Sequence, residues 1–442
     1  MFKITRKSRL VKVAAATAAI GSLAAIGFVG NSPANADPKQ YDAPLFGFGS
    51  DTLQDVTNAF AGANVGTTYI PPLQTSALTG QKQIVSWDAF APGAADPSLP
   101  NCINPRVGSP QILRPNGSSN GVRALSAAYN TAQRWPSGNF TVAQACGVPR
   151  SMSNIVTFAR SSASVGTLSG PLVYIPFGRD AFGFGYVKPS AGVAGGTAVG
   201  QQAPVISITD TQLTALHATG PQLIDPDGTG PLLAVPVIAC GIQTGSGTYS
   251  SWMGALILAT NGTGDPGTNT CNNAGTVPFA GRVQENNGPD LTGKSTFLSA
   301  MTSDICDGVA GGAPVTCEDA QLVVGFSASQ FIARSNGIGT PNPNLGLNGG
   351  LGAINGIPAT LGTAPNLTPN GAWYANTIFG RDVTFVVAAV AIEGQDASPS
   401  IIDMFVGPSS KVCSATTTIQ QHGFLSLGAA CGATVQRGPF RT

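Results

Sequence analysis

The sequence predicts an α/β protein, and three observations carry that expectation. Strand-like apolar runs alternate with short helical patterns along the chain. The 442 residues, at roughly 100–200 per domain, suggest two or three domains and a sizeable core. Charged residues make up 10% against a usual ~25%, while the hydrophobic fraction of 42% is ordinary for a globular protein. Disorder needs high charge and low hydrophobicity, so most of this chain is expected to fold.

Taken in order, Thr52 to Phe60 and Val122 to Tyr129 read as the first two helices. Pro171 to Pro176 and Phe182 to Val187 read as separate strands. A helix from Asp210 to Leu216 follows, then a strand from Leu232 to Ala239, a helix from Tyr249 to Leu258 and another from Ser327 to Ala333. Most of these helices have Ser, Thr or Asp at or near the start, where a side-chain oxygen caps the free N–H groups. Val383 to Ile392 is a continuous β-rich run of the kind buried on both faces. Residues 189–202, 261–275 and 337–371 are rich in Gly, Pro and small or polar residues and read as long surface loops.

The N-terminus has the pattern of an export signal. Lys3, Arg6, Lys7, Arg9 and Lys12 form a positive region, Val13 to Gly30 is apolar, and Ala34-Asn35-Ala36 is a small-residue cleavage site. An uncleaved signal anchor is the rival reading, but the Ala/Gly content makes the run weakly hydrophobic. Removing residues 1–36 turns a formal net charge of +1 into −4. Such a balance lacks the basic excess that a phosphate backbone requires, so nucleic acid is not an expected partner. All eight cysteines lie beyond the signal, and an even count in an exported chain argues for disulfides. The nearest-neighbour pairing joins Cys102 to Cys146, Cys240 to Cys271, Cys306 to Cys317 and Cys413 to Cys431. With two His and no CxxC, no metal is expected.

One local arrangement occurs three times. Phe48-Gly49-Ser50-Asp51-Thr52, Asn116-Gly117-Ser118-Ser119-Asn120-Gly121 and Thr244-Gly245-Ser246-Gly247-Thr248 each precede a predicted helix. A helix start presents free N–H groups and partial positive charge, worth roughly 0.3–1 kcal/mol at the surface. Glycine lets a ligand approach the main chain, and hydroxyls add donors. Converging on one oxyanion, such donors could supply the ~8 kcal/mol that micromolar affinity needs, with no cofactor. Each loop alone reads equally well as an ordinary cap.

These residues resemble the phosphate-specific solute-binding proteins of ABC transporters, which have the periplasmic-binding-protein type II fold. Gly117 to Leu125 is similar to the family's GSSGG-type loop and helix, and Gly245 to Thr248 to its GSGT loop. Gly49 to Thr52 takes the place of its first anion loop, Ile206 to Leu216 resembles its second-lobe segment, and Val324 to Ala333 its return towards the first lobe. The resemblance implies two lobes with a cleft between them: 37–185 with 320–442, the latter ending in a C-terminal disulfide loop, and 186–319. It implies an anion held by Thr52, Leu53, Ser118, Ser246, Gly247 and Thr248, a permease partner and a monomer outside the cytoplasm.

The chain also departs from the family pattern. Ser162 stands where an Asp is expected, and Ile242 and Thr244 stand where an Arg and a second Asp are expected. A carboxylate accepts an O–H from protonated phosphate and repels a fully ionised oxyanion, so its loss bears on the choice between phosphate and sulfate. Arg160 could supply the missing positive charge, or serve in a salt bridge. The doublets Arg179-Asp180 and Arg381-Asp382 read as exposed ion pairs, Trp252 and Phe48 as core, and His422 as exposed in a disulfide loop.

Two other readings remain open. Gly117-Ser118-Ser119-Asn120-Gly121 satisfies the G-x-S-x-G elbow, with His422 and Asp403 available to complete a triad, but Pro115 spoils the strand an elbow needs. A secreted surface protein that keeps the fold without transport is the third reading.

Overall fold

The computed structural model describes residues 43–62, 64–65, 68–69, 72–73, 83–89, 102–137, 146–163, 168–187, 204–218, 222–225, 235–242, 245–260, 321–338 and 349–442. The proposed signal peptide, the loops 189–202 and 261–275, and Cys271, Cys306 and Cys317 lie outside them.

The chain is α/β, as its alternating pattern predicts, and its described residues are organised around a 12-stranded mixed sheet. The strands are β1 (Leu45–Gly49), β2 (Ile84–Ser86), β3 (Phe158–Ser161), β4 (Leu172–Val187), β5 (Ser207–Ile208) and β6 (Gln222–Ile224). They continue as β7 (Val235–Cys240), β8 (Gln321–Ser327), β9 (Gly349–Ile354), β10 (Gly380–Ala388), β11 (Leu425–Ser426) and β12 (Arg437–Gly438). The main path runs β6-β7-β8-β4-β10-β3-β1-β2, and β9, β11 and β12 also pair with β4. β1 is parallel to β2 and β3, whereas β10 is antiparallel to both β3 and β4.

The period-two alternation of strands divides the core. Leu45, Phe158, Val173 and Phe385 point to one face with Leu53, Phe60 and Met404. Phe46, Ala159, Tyr174 and Val386 point to the other, against Val122 and Leu125. A separate core forms at the far end of β4, where Phe182 and Phe184 pack with Trp252, Leu256 and Val323. Trp252 and Phe48 are core residues, as expected.

The helices α1 (Gln54–Phe60), α2 (Gly117–Tyr129), α3 (Asp210–Ala218), α4 (Gly247–Thr260) and α5 (Ala328–Ser335) fall where the pattern placed them. Two start earlier than expected. α2 begins five residues sooner and α4 two, inside loops whose Gly and Ser favour irregular backbone. Tertiary packing holds them: a Cβ on Gly121 would lie 2.6 Å from Gly49 Cα, so only glycine fits there.

Four other expectations are corrected. The two predicted strands 171–176 and 182–187 are one 16-residue strand, β4. Pro176, opposite Thr384, sits beside a register shift with β10 between Val383 and Thr384, and a bulge is a place where a strand tolerates proline. Within 337–371, residues 349–354 form β9 rather than a surface loop, and Thr360–Leu361 pairs with Thr368–Pro369. Gly350 and Gly352 are there because the rings of Tyr186 and Phe184 cover them: a Cβ on Gly352 would meet Phe184 at 2.1 Å. The run predicted as a strand to Ile392 leaves the sheet at Ala388 and ends in a 3-10 turn, Ala389–Ala391. His422 is buried at 2% exposure, at the end of the short helix Thr416–Gln421.

Two expected disulfides are formed, Cys102–Cys146 and Cys413–Cys431. Cys240 is also disulfide-bonded.

Candidate functional site

The three Ser-Gly loops meet. Gly49, at the end of β1, has φ +125°, a conformation that favours glycine, and the Ser50 N–H then donates to the Arg160 carbonyl of β3 (3.0 Å). Gly49 also bridges to Asn116 beside the start of α2. Across from α2, the Ser119 N–H donates to the Gly245 carbonyl (3.3 Å). A Cβ on Gly117 would lie 2.3 Å from that carbonyl oxygen, so the second and third loops touch through bare backbone.

Their hydroxyls, together with that of Ser162, form two buried groups. Ser50 Oγ donates to Ser162 Oγ (3.0 Å), and Ser118 Oγ and Ser162 Oγ are 3.3 Å apart. The Ser162 N–H donates to Ser118 Oγ (3.1 Å). Thr52 Oγ1 and Thr248 Oγ1 are 3.1 Å apart. Ser246 caps α4 by accepting from the N–H groups of Thr248 (3.0 Å) and Tyr249 (3.3 Å). Ser50, Thr52, Ser118, Ser162, Ser246 and Thr248 are each at most 4% exposed. Leu53 packs in the core beneath the first loop, and its backbone carbonyl receives the Thr57 hydroxyl.

No family model matches this chain, and no curated protein does. Solved structures do. An ABC-type phosphate transport receptor from Vibrio cholerae is 10% identical, over 86% of this chain and 99% of that one, with a TM-score of 0.40. The phosphate-binding protein from Stenotrophomonas maltophilia is 14% identical, over 88% of this chain and 92% of that one, with a TM-score of 0.38. At that identity and TM-score the likeness settles neither ligand nor role.

Two buried arginines lie against these loops. Arg160 is buried, but its guanidinium donates to Ser86 Oγ and to the Gly49 carbonyl (3.3 Å). Arg381 instead donates to Thr248 Oγ1 and to the Ser162 carbonyl, both at 2.8 Å. It is held by Asp180 through a 2.8 Å ion pair with side chains 2% and 0% exposed. The expectation of exposed pairs is therefore corrected for this one, while Arg179–Asp382 keeps side-chain exposures of 24% and 31%. Both pairs follow from one register: antiparallel β4 and β10 set Arg381 opposite Asp180 and Asp382 opposite Arg179. Successive residues point to opposite faces, so one pair enters the core and the other does not. Burial pushes the Tyr374 phenol far above its ordinary range, with Asp180 adding to the shift and Arg381 opposing it, so that hydroxyl stays protonated.

Ile242 is buried, and Thr244 lies outside the described residues. The elbow reading lacks its strand: Ile112–Leu113 pairs with Cys102–Ile103 in a separate two-stranded sheet, away from the central one. Among the described residues no hydrogen bond joins Ser119 to His422, whose Nδ1 lies 2.7 Å from the Thr418 carbonyl. No group of three or more metal-ligating side chains occurs among the described residues, and no described helix is long and apolar enough to cross a membrane.

Proposed function

We propose that this protein is a secreted solute-binding protein that holds a small oxyanion, inorganic phosphate first, for ABC-type uptake. The anion sits between lobe one (37–185 and 320–442) and lobe two (186–319), held by Thr52, Leu53, Ser118, Arg160, Ser162, Ser246, Gly247 and Thr248. The reading involves no chemistry and no cofactor: a monomer closes on its ligand and delivers it to a membrane permease. It leaves the cytoplasm on an N-terminal signal cleaved near Ala36.

The observation that carries this reading is the convergence of the three loops. Loops that served only as caps would have no reason to share hydroxyl–hydroxyl bonds, yet Ser50, Ser118 and Ser162 form one chain and Thr52 and Thr248 another. Two of the loops open helices of 13 and 14 residues, long enough to present a polarised N-terminus. An oxyanion entering here exchanges hydroxyl–hydroxyl bonds for charge-assisted ones, which are about twice as strong.

Isothermal titration of the oxidised protein with phosphate, sulfate and organic phosphates at pH 7 tests this. Micromolar phosphate binding that Ser118→Ala weakens is the expected result. Folded protein that takes up no heat with any of them would end the solute-binding reading and favour a surface role.

A further inference from the structure

We propose that Arg381 is the charged ligand-binding residue of this site, with Asp180 as its positioning partner. The inference rests on the oxyanion reading above and adds a second cation, beyond Arg160, to meet the anion's charge.

A multiply charged oxyanion surrounded only by neutral hydroxyls would be a buried, unpaired charge, which is costly. Arg381 reaches the hydroxyl network from a separate strand, β10, and touches two of its parts, the Ser162 carbonyl and Thr248 Oγ1. The guanidinium is fully oriented. Nε and Nη2 both donate to Asp180 Oδ2 (3.2 and 2.8 Å), and its plane lies over the Phe182 ring, 4.3 Å from the centroid. Asp180 Oδ1 is occupied by the Ser329 N–H (3.0 Å), so this carboxylate cannot swing away without exposing a buried donor.

A guanidinium has five N–H donors, and Arg381 makes four hydrogen bonds. One Nη1–H therefore has no acceptor among the described residues, although the side chain is 2% exposed. The Nη2–H on Thr248 is the second candidate, because a hydroxyl is a neutral acceptor that an anion outcompetes. The Nη1–Nη2 edge thus faces the Ser162 carbonyl and the Thr248 hydroxyl, while the other edge is fixed on Asp180. Such a fork matches two oxygens of a tetrahedral anion, a geometry that a lysine ammonium cannot copy.

The test compares wild type, Ser118→Ala, Arg381→Lys and the double variant Arg381→Gln/Asp180→Asn by titration with inorganic phosphate and with sulfate. Thermal unfolding is followed in parallel. The double variant replaces the ion pair by two amides and leaves no unpaired charge, so its fold should survive. Its affinity for the bound anion is expected to fall about 10- to 100-fold, and that of Arg381→Lys about tenfold. If the double variant does not fold, Arg381→Lys decides alone. Affinity in the folded Arg381 variants within twofold of wild type, with Ser118→Ala still weakened, overturns the role of Arg381 and leaves the site standing. Absence of binding to either anion by folded wild type overturns both.

Discussion

A methyl group on Gly247 would stand 2.3 Å from Ser118 Oγ and 2.6 Å from Ser162 Oγ. The first residue of α4 thus packs directly against two hydroxyls of the proposed site. Gly247→Ala should wedge the hydroxyls apart and weaken phosphate binding at least about tenfold. The overlap costs about 1–3 kcal/mol and helix propensity returns up to ~1 kcal/mol of it, so thermal unfolding should fall by only a few degrees. Titration and calorimetry on the same sample check both halves.

In the proposed site, Ser246 bears on stability as well as on ligand. Its Oγ accepts from two N–H groups at the start of α4. Ser246→Ala is expected to cost about 1 kcal/mol in urea unfolding, a typical cap loss. Ser246→Asp should recover the cap and still bind phosphate poorly, because its charge repels an anion.

His422 gives the protein an acid-sensitive side. Burial holds its imidazole below the ordinary range, with the Thr418 carbonyl and Asp55 opposing that shift. The folded protein therefore keeps His422 neutral at a pH where the unfolded chain takes up a proton. Its contribution is complete above about pH 6.5 and declines below it, by up to ~1.4 kcal/mol per pH unit. Unfolding free energies measured between pH 5 and 8 should show that slope, and His422→Gln should flatten it.

The Cys413–Cys431 bridge closes a segment with a sequence separation of 18. Replacing both cysteines by alanine should cost about 3 kcal/mol, chiefly by freeing the unfolded chain. Both sulfurs lie in the same core as Ile419 and Phe424, so the loss should extend to the packing there. Denaturant unfolding of the Cys413→Ala/Cys431→Ala variant, with phosphate titration as control, tests this.

Much of this molecule is legible in its sequence. Helices opened by Ser, Thr or Asp and strands rich in Val and Phe declare themselves through local propensity and period. The three loops were visible as separate caps, but their meeting depends on strand order, which no local pattern encodes. Arg381 and Asp180 were hidden for the same reason. Each sits in an ordinary Arg-Asp doublet, and only antiparallel pairing of β4 with β10 puts one Arg opposite the other Asp in the core. β9 is not legible in the sequence because Gly350 and Gly352 look like loop residues, and only the fold brings the Tyr186 and Phe184 rings over them. His422 looked solvent-exposed because short disulfide loops often are, whereas here the loop is folded down onto the sheet.

β4 has a mechanical consequence. The same unbroken backbone is hydrogen-bonded to β10 from Leu172 to Ala181 and to β8 from Phe182 to Val187, so the two ends of the sheet share a beam rather than a joint. Closing one end on the other must bend or twist that beam, and every ladder bond along it resists. Motion between the halves is then elastic: small in amplitude, spread over several residues, and restored when the load leaves.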